Sequence, residues 1–441
     1  MGLKDLIVTP IYLTLLTLLA YWIRPYVTNP QTRRYFMPAL WVRFIGAIAL
    51  GTIYQFYYGG GDTFNYWEHG SRWIYYAFQD DFFLGLKLLL EDGGIKPLDE
   101  TYYYSSRIWY YRNSSSYVVV RITALFDLLT LHTYSASSLF FALFSFSGLW
   151  AMYSAVQKKY PYATKKMALA ILFIPSVIFW GSGILKDTLT IGAVGWMTWS
   201  LVAVIEMKKR SWKEVVVLII SFYLIFGIKK YILICFVPMI AVWIFFVNVG
   251  NIRNKALKLL IVPLLLMMFG LAGFLALNQI TKDDQKYSLD SIAERSRITA
   301  YDIRYGWGAR NDGDGGYDIG LSDGTWQGLL RMMPAAITVS IFRPYIWEVR
   351  NPLMLLTALE SLIITFLFLK VFFQKPGRIF GGDPFMRFCF YFTILFAFAV
   401  GASSFNFGTL MRYKIPFMPF LVLFLVNINS RFQSKKELKK G

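Results

Sequence analysis

The sequence predicts an all-α integral membrane protein, and three observations predict it. Of 441 residues, 56% are hydrophobic and only 16% charged, against roughly 25% charged in ordinary soluble domains. Apolar windows of about 18 or more residues recur along the whole length, long enough to cross a bilayer as helices. The Lys and Arg behind the net charge of +19 fall in short clusters beside those windows: Arg33–Arg34, Lys158–Lys159, Lys165–Lys166, Lys208–Lys209–Arg210, Arg253–Lys255–Lys258 and the tail from Lys435. That is the positive-inside pattern, not the basic stripe that nucleic acid requires, so no nucleic-acid partner is expected. Aromatic residues at 19% suit a chain that meets both membrane interfaces many times.

Taken in order, spans are expected near 6–23, 37–57, 137–156, 166–181, 187–206, 213–227, 231–249, 256–277, 351–373, 386–402 and 411–428. These are about eleven helices in a single polytopic domain covering 1–441. The first apolar run, Leu6–Ile23, lacks a small-residue cleavage site and reads as a retained span. The basic clusters put the loops at 24–36, 157–165, 207–212, 250–255 and 374–385 and the C-terminal tail on the cytoplasmic side. The N-terminus and two long loops, 58–136 and 278–350, then lie outside. This parity requires that Val118–Leu131, with Arg121 and Asp127 in it, does not span. In the first outer loop, aromatics interleave with Arg and Glu from Trp67 to Tyr76 and from Tyr102 to Arg112, the pattern of amphipathic helices lying in the interface. Cys235 and Cys389 sit in apolar segments and read as core.

Four features carry candidate chemistry. Asp62 follows Gly59-Gly60-Gly61 directly after a span, so its carboxylate stands at the mouth of the helix on backbone free to turn tightly. There it could accept a proton from a hydroxyl or hold a divalent cation such as Mg²⁺ or Mn²⁺; equally, Asp is common in Gly-rich turns. In Pro175…Trp180-Gly181-Ser182-Gly183-Ile184-Leu185-Lys186-Asp187, an apolar run breaks at an elbow and the next begins with Lys-Asp. A helix N-terminus and Lys186 at the outer surface suit a phosphate, although an ordinary helical hairpin with polar residues in headgroup water reads the same way. Lys229–Lys230 lies on the outer side against the positive-inside rule and needs a counter-charge, from lipid phosphate or by snorkelling to headgroups. Arg343, Trp347 and Glu348, and Arg412 with Lys414, stand at outer ends of spans, where Arg grips phosphate and aromatic faces stack on sugars; aromatic and basic belts are also general to membrane proteins. Tyr66, Glu68 and His69 of the first loop are further candidates for saccharide contact, and Glu360 lies about two turns into an apolar helix, where carboxylates are costly.

Other chemistries lack their signatures. Asn311–Asp318 resembles a calcium loop, but from Asp312 the sixth position is Tyr317 and the twelfth Asp323, where Gly and Glu are wanted. The nucleophile elbow, the P-loop, zinc spacing and the dinucleotide fingerprint are absent. His69 and His132 are the only histidines.

The order of these features resembles the multi-spanning GT-C glycosyltransferases and the related bacterial polysaccharide polymerases. It is carried by Gly61-Asp62-Thr63-Phe64-Asn65-Tyr66 after an early span, the amphipathic loop, the proline-containing span ending in Trp-Gly-Ser-Gly before Lys186-Asp187, and the last span opening Arg412-Tyr413-Lys414-Ile415-Pro416. The resemblance implies sugar transfer at the extracytoplasmic face from a polyprenyl-phosphate or polyprenyl-diphosphate donor to a saccharide or lipid acceptor. Asp62 would be general base or metal ligand, with Lys186 or Asp187 as the residue beyond the proline-containing span. Lys186, Lys229, Lys230, Arg343, Arg412 and Lys414 would supply cations for the donor phosphate. The chain departs from the family in having Thr63 where a second acid is usual, and an extra first span. The setting implied is a bacterial inner membrane. Two other classes fit the sequence: a transporter or flippase of a lipid-linked saccharide or anionic solute, and a non-catalytic envelope assembly protein. A transporter should bury its charges at mid-membrane and show paired broken helices, whereas in the sequence the charges bunch toward one face.

Overall fold

The computed structural model describes residues 1–94, 99–209, 211–249, 289–306, 316–320, 323–374 and 383–437. Their regular elements are all helical. Among the described residues seven helices are long and apolar enough to cross a membrane: Leu3–Val27, Arg33–Phe56, Tyr134–Lys159, Lys186–Glu206, Lys230–Asn248, Pro352–Phe373 and Pro384–Ser404. The chain is therefore an α-helical membrane protein. These seven occupy the windows expected at 6–23, 37–57, 137–156, 187–206, 231–249, 351–373 and 386–402. The window at 213–227 forms the 17-residue helix Trp212–Ile228. The window at 256–277, the cluster Arg253–Lys258 and the segment 311–315 lie outside the described residues.

Two expected spans are not straight helices, and proline explains both. The window 166–181 divides into Thr164–Leu172 and Pro175–Trp180. Pro175 has no N–H to give the preceding turn and pushes Ile174 into the extended region, so the chain leaves the helix and re-enters with proline at its first position. The window 411–428 becomes Phe407–Tyr413 and Met418–Ile428, bent by 68° across Lys414–Phe417, where Pro416 sits. The pair makes an eighth crossing if it counts as one span.

The chain divides into two compact units, Met1–Lys230 and Tyr231–Gly441. In the first, the helices Tyr134–Lys159 and Lys186–Leu201 pack backbone against backbone. A Cβ on Gly148 would fall 1.9 Å from the Gly192 carbonyl oxygen, and one on Gly195 2.4 Å from the Gly148 carbonyl. Without apolar driving force inside lipid, such small residues let helices approach closely enough for dispersion to hold them. The helix Ser114–Thr130 packs here too, with Tyr117, Val119, Val120, Thr123 and Asp127 buried. One face of it is thus packed on protein, while Leu125, Leu128 and Leu129 are exposed. Phe82, Phe83 and Leu90 of the helix Phe82–Leu90 are exposed.

In the second unit an aromatic core is built around Trp243, Phe236, Phe388, Phe392 and Phe420. The segment expected as the outer loop 278–350 contains more structure than a loop. Its helix Met333–Phe342 packs on Pro384–Ser404, with Ser340 Oγ donating to the Ala397 carbonyl at 2.7 Å. Tyr317 Oη donates to the Gly401 carbonyl and accepts from the Phe405 amide, both at 3.0 Å. At ten residues, Met333–Phe342 falls below the length that marks a span in sequence.

The Gly148 crossing yields a test. Gly148→Val should abolish the close approach and lower stability by several kcal/mol, since overpacking alone typically costs about 1–3 kcal/mol. Gly227→Ala, which meets only Val118 at 3.8 Å, should be neutral or slightly stabilising. Thermal unfolding in detergent measures both; equal melting of the two variants would exclude a backbone-to-backbone contact.

Candidate functional site

The best-defined polar site of the first unit is built on the broken helix. At the end of the helix Pro175–Trp180 the Val177 carbonyl accepts from the Gly181 amide at 3.0 Å and keeps a second lone pair, and the Gly181 carbonyl lies just past the last turn. Arg43, from the middle of the span Arg33–Phe56, supplies the donors: its Nη1 reaches the Val177 carbonyl at 2.7 Å and the Gly181 carbonyl at 3.1 Å, and Ser145 Oγ at 3.4 Å. Arg43 is fully buried and its Nη2 has no partner. A Cβ at Gly181 would stand 2.5 Å from the Val177 oxygen and 3.0 Å from Arg43 Nη1, and one at Gly183 2.7 Å from Leu50. Only glycine leaves room for the arginine on one side and the span on the other.

Beyond the elbow the helix Lys186–Leu201 begins. Asp187, 1% exposed, receives Lys229 Nζ at 2.5 Å from the end of the helix Trp212–Ile228. The two residues belong to opposite ends of consecutive antiparallel helices and so share one side of the bundle. Lys229 thus finds in Asp187 the counter-charge for which a lipid phosphate was expected. Lys186 donates from Nζ to Ser115 Oγ at 2.8 Å. Lys230 lies over the Phe226 ring, 5.1 Å from its centroid. The residues 181–185 are all buried by protein, unlike the alternative reading of an ordinary hairpin whose polar residues stand in headgroup water. Arg43, Asp187 and Lys229 are all enclosed by protein. A buried charge is tolerated where carbonyls or an opposite charge replace its water.

Asp62 stands at the first position of the short helix Asp62–Tyr66. Gly59, Gly60 and Gly61 have φ of +68°, +133° and +130°, backbone that favours glycine at all three. Tyr110 Oη donates to Asp62 Oδ1 across 3.4 Å, and the Tyr110 ring tilts against Tyr66 at 4.9 Å. The elbow and this turn are neighbours. Tyr54 meets Trp180 edge to face at 6.2 Å, and a Cβ on Gly61 would lie 2.7 Å from the same Tyr54 ring. The short segment from Tyr110 to Ser115 therefore touches Asp62 at one end and Lys186 at the other. Nearby, Glu68 pairs with Arg72 at 3.3 Å, and His69 stacks on Trp109 with centroids 3.8 Å apart and planes 4° from parallel.

Asp127, whose sequence position marked only a helix that does not span, is central to this loop, together with His132. Asp127, fully buried, accepts from Ser71 Oγ at 2.6 Å and Ser137 Oγ at 2.7 Å, and its Oδ2 lies 2.9 Å from His132 Nδ1. The imidazole is held between Trp67 at 4.4 Å and Tyr75 at 5.5 Å. The carboxylate so ties the π-turn Trp67–Ser71, just after Asp62, to the helices Ser114–Thr130 and Tyr134–Lys159. Asp127 in an apolar stretch was the available signal, as was the lone Arg43 inside a span, since intramembrane charge is costly enough to have a purpose.

The second unit carries the remaining candidates. Arg343 grips Glu348 with Nε at 3.0 and 3.1 Å from the two carboxylate oxygens and with Nη2, and the Tyr345 amide donates to Glu348 Oε2 at 2.8 Å. Partial burial pushes the Glu348 carboxyl up, but the Arg343 and Tyr345 hydrogen bonds outweigh it and hold the group below the usual carboxylate range. Trp347 stands 82% exposed and stacks on Tyr345 at 4.8 Å. Lys414, fully buried at the helix bend, donates to Ser361 Oγ at 3.4 Å with the charge of Glu360 acting on it. Arg412 is half-buried one turn earlier.

For a divalent cation the donor set is thin: among the described residues no group of three or more His, Cys, Asp and Glu comes together. A cation at Asp62 would take most of its oxygens from phosphate and water, as Mg²⁺ readily does, and no step below runs through it. Comparison with protein-family models, with curated proteins and with solved structures finds no match.

Two tests follow from the ion pairs. Asp187→Ala or Lys229→Ala alone should cost about 3–5 kcal/mol, because each strands a buried charge, while the double variant with Leu and Met should recover most of it; additive losses in detergent melts would mean that the pair is not coupled. The depressed Glu348 carboxyl contributes stability above its unfolded-state pKa of about 4.3 and loses it as pH falls through the lower folded value. Wild-type melting should therefore drop below about pH 4, while Glu348→Gln melts lower than wild type at neutral pH and converges with it in acid; parallel pH profiles would contradict the assignment.

Proposed function

We propose that this protein is a membrane glycosyltransferase or polysaccharide polymerase that uses a polyprenyl-phosphate-linked or polyprenyl-diphosphate-linked sugar at the extracytoplasmic face. Its frame is GT-C-like, of about eleven spans, in a bacterial inner membrane with the C-terminus in the cytoplasm. The observation that supports this reading best is the convergence on one short segment of a carboxylate and a cation drawn from distant parts of the chain. Tyr110 meets Asp62 and, five residues on, Ser115 meets Lys186. Glycosyl transfer needs that pairing. An acceptor hydroxyl oxygen bonds to the anomeric carbon as the bond from that carbon to the phosphate oxygen breaks. The hydroxyl proton passes to Asp62, and the electron pair leaves with the lipid phosphate, whose charge Lys186 stabilises.

The buried charges favour a second reading. A transporter should have broken helices with enclosed ionisable groups. The first unit has one break beside Arg43 and the Asp187–Lys229 pair, and the second has a bend with Lys414 buried near Glu360. The two readings part at the fate of the sugar bond. In liposomes given labelled polyprenyl-phosphate and polyprenyl-diphosphate sugars, a transferase releases the lipid phosphate and moves the label to an acceptor, whereas a flippase changes only the leaflet of the intact donor. Asp62→Asn should lower transfer about 10²–10⁴-fold, the usual contribution of a general base, with melting unchanged. Lys186→Met should mainly raise the donor KM. Leaflet exchange of intact donor with no transfer, or full transfer by Asp62→Asn, would overturn the assignment.

A further inference from the structure

The Trp109–His69 stack is the feature of the first loop that neither ion pairing nor packing accounts for. Trp109 is 64% exposed although it is held rigidly. His69 covers one face of its indole in near-parallel contact at 3.8 Å, and the Trp109 amide donates to the His69 carbonyl at 3.1 Å. One face is thus spent on the protein, and the exposure belongs to the remainder of the ring. The surroundings differ from those of Phe82, Phe83 and Leu90. Around Trp109 the exposed chain neighbours are Tyr102, Tyr103, Ser106, Arg112, Asn113 and Ser114, every one with a polar group, and next to His69 the Glu68–Arg72 pair remains a third or more exposed on both sides. A ring meant for acyl chains is placed among apolar groups. A flat, fixed ring amid hydroxyl, amide, carboxylate and guanidinium groups matches a pyranose instead, whose axial C–H face is apolar and whose hydroxyl edge is not. The ring is also tied to the reacting end: Tyr110, the next residue, meets Asp62 at 3.4 Å.

We propose that Trp109, backed by His69, is a saccharide-stacking platform, and that the acceptor is consequently a saccharide rather than a lipid or protein. The proposal rests on the transferase reading for the word acceptor, but the binding it asserts is measurable without turnover. Preorganisation gives the platform its value: the ring is already immobilised, so a sugar laid on it does not have to order a side chain.

The test uses the full chain in lipid nanodiscs without donor, applied to a glycan array, as wild type, Trp109→Ala and Trp109→Phe. Wild type should retain at least one class of glycan, Trp109→Ala should weaken that binding about tenfold, and Trp109→Phe should keep most of it because the stacking face survives. Thermal melting should be the same for all three. In the transfer assay, Trp109→Ala should raise the acceptor KM and leave the donor KM alone. Absence of glycan binding, or equal binding by Trp109→Ala, overturns the platform, and so does quenching by brominated lipid of the emission that Trp109→Phe removes, which would make Trp109 a bilayer anchor. If sugar is transferred but Trp109→Ala changes neither binding nor acceptor KM, the platform falls and the transferase stands. If glycan binding depends on Trp109 while no donor is turned over, the platform stands and the transferase falls.

Discussion

A guanidinium inside a helical bundle must find acceptors for its N–H groups, and the acceptors nearest Arg43 are the carbonyls of a helix that has stopped too early. Pro175 forces the stop, and Gly181 and Gly183 make the space. Arg43 then fastens the broken end to the span Arg33–Phe56 through the Val177 and Gly181 carbonyls. Each of these parts is unfavourable by itself. A break ends the helical ladder, a buried arginine lacks water, and glycines lose packing. Together they satisfy one another, and the elbow acquires a fixed position from which the next helix starts with Lys186 and Asp187. Lys229 closes the arrangement by neutralising Asp187 where no solvent could. The placement of the candidate site depends on this set of mutual satisfactions more than on any apolar contact.

Much of this was legible in the sequence, and the parts that were not share a cause. The long spans announce themselves because an apolar run of about 18 residues has few alternatives to crossing a membrane. The Gly59–Gly61 turn and the Trp180–Gly183 elbow were visible through their glycines, which the first needs for its positive φ and the second for the space beside Arg43 and Leu50. Hydropathy could not register that 166–181 is two short helices, because proline interrupts the geometry and leaves the composition apolar. It missed Met333–Phe342 since ten residues cannot span. The pairing of Lys229 with Asp187 was out of reach for a different reason. The basic residue signalled a missing counter-charge, but its partner lies 42 positions away, and only the antiparallel packing of two helices brings them together. Sequence gives the need for a partner; topology decides which partner meets it.

The first loop shows the same division. Its aromatic and charged composition from Trp67 to Tyr76 and from Tyr102 to Arg112 suggested interfacial helices, and those segments hold the short helical elements Trp67–Ser71, Arg72–Asp80 and Tyr102–Ser105. The helix Ser114–Thr130 is packed through Asp127, whose burial is compensated by Ser71, Ser137 and His132 where the loop folds onto the bundle. That anchor has a cost in freedom. Leu131 and His132 are held at φ of +56° and +53°, conformations disfavoured for side chains of this size and kept only where the surroundings over-determine them. The loop bearing Asp62, His69 and Trp109 is accordingly fastened from beneath by a carboxylate that never reaches its surface.

This fastening bears on which chemistry the site can do. A transporter must offer its substrate to both sides, so the groups that hold the substrate have to shift between two arrangements of comparable energy. The elbow is poorly suited to that. Moving it would strip Arg43 from two carbonyls and part Asp187 from Lys229, and each of those losses strands a buried charge or acceptor. Unless a second arrangement offered partners of equal quality, the energy gap would far exceed the few kcal/mol that a population shift can span. Transfer chemistry asks for the opposite property, a carboxylate and a cation held still while the substrates come to them. The rigidity of the Arg43 elbow and the Asp127 anchor thus argues for fixed geometry around Asp62 and Lys186, and it leaves motion to the substrates.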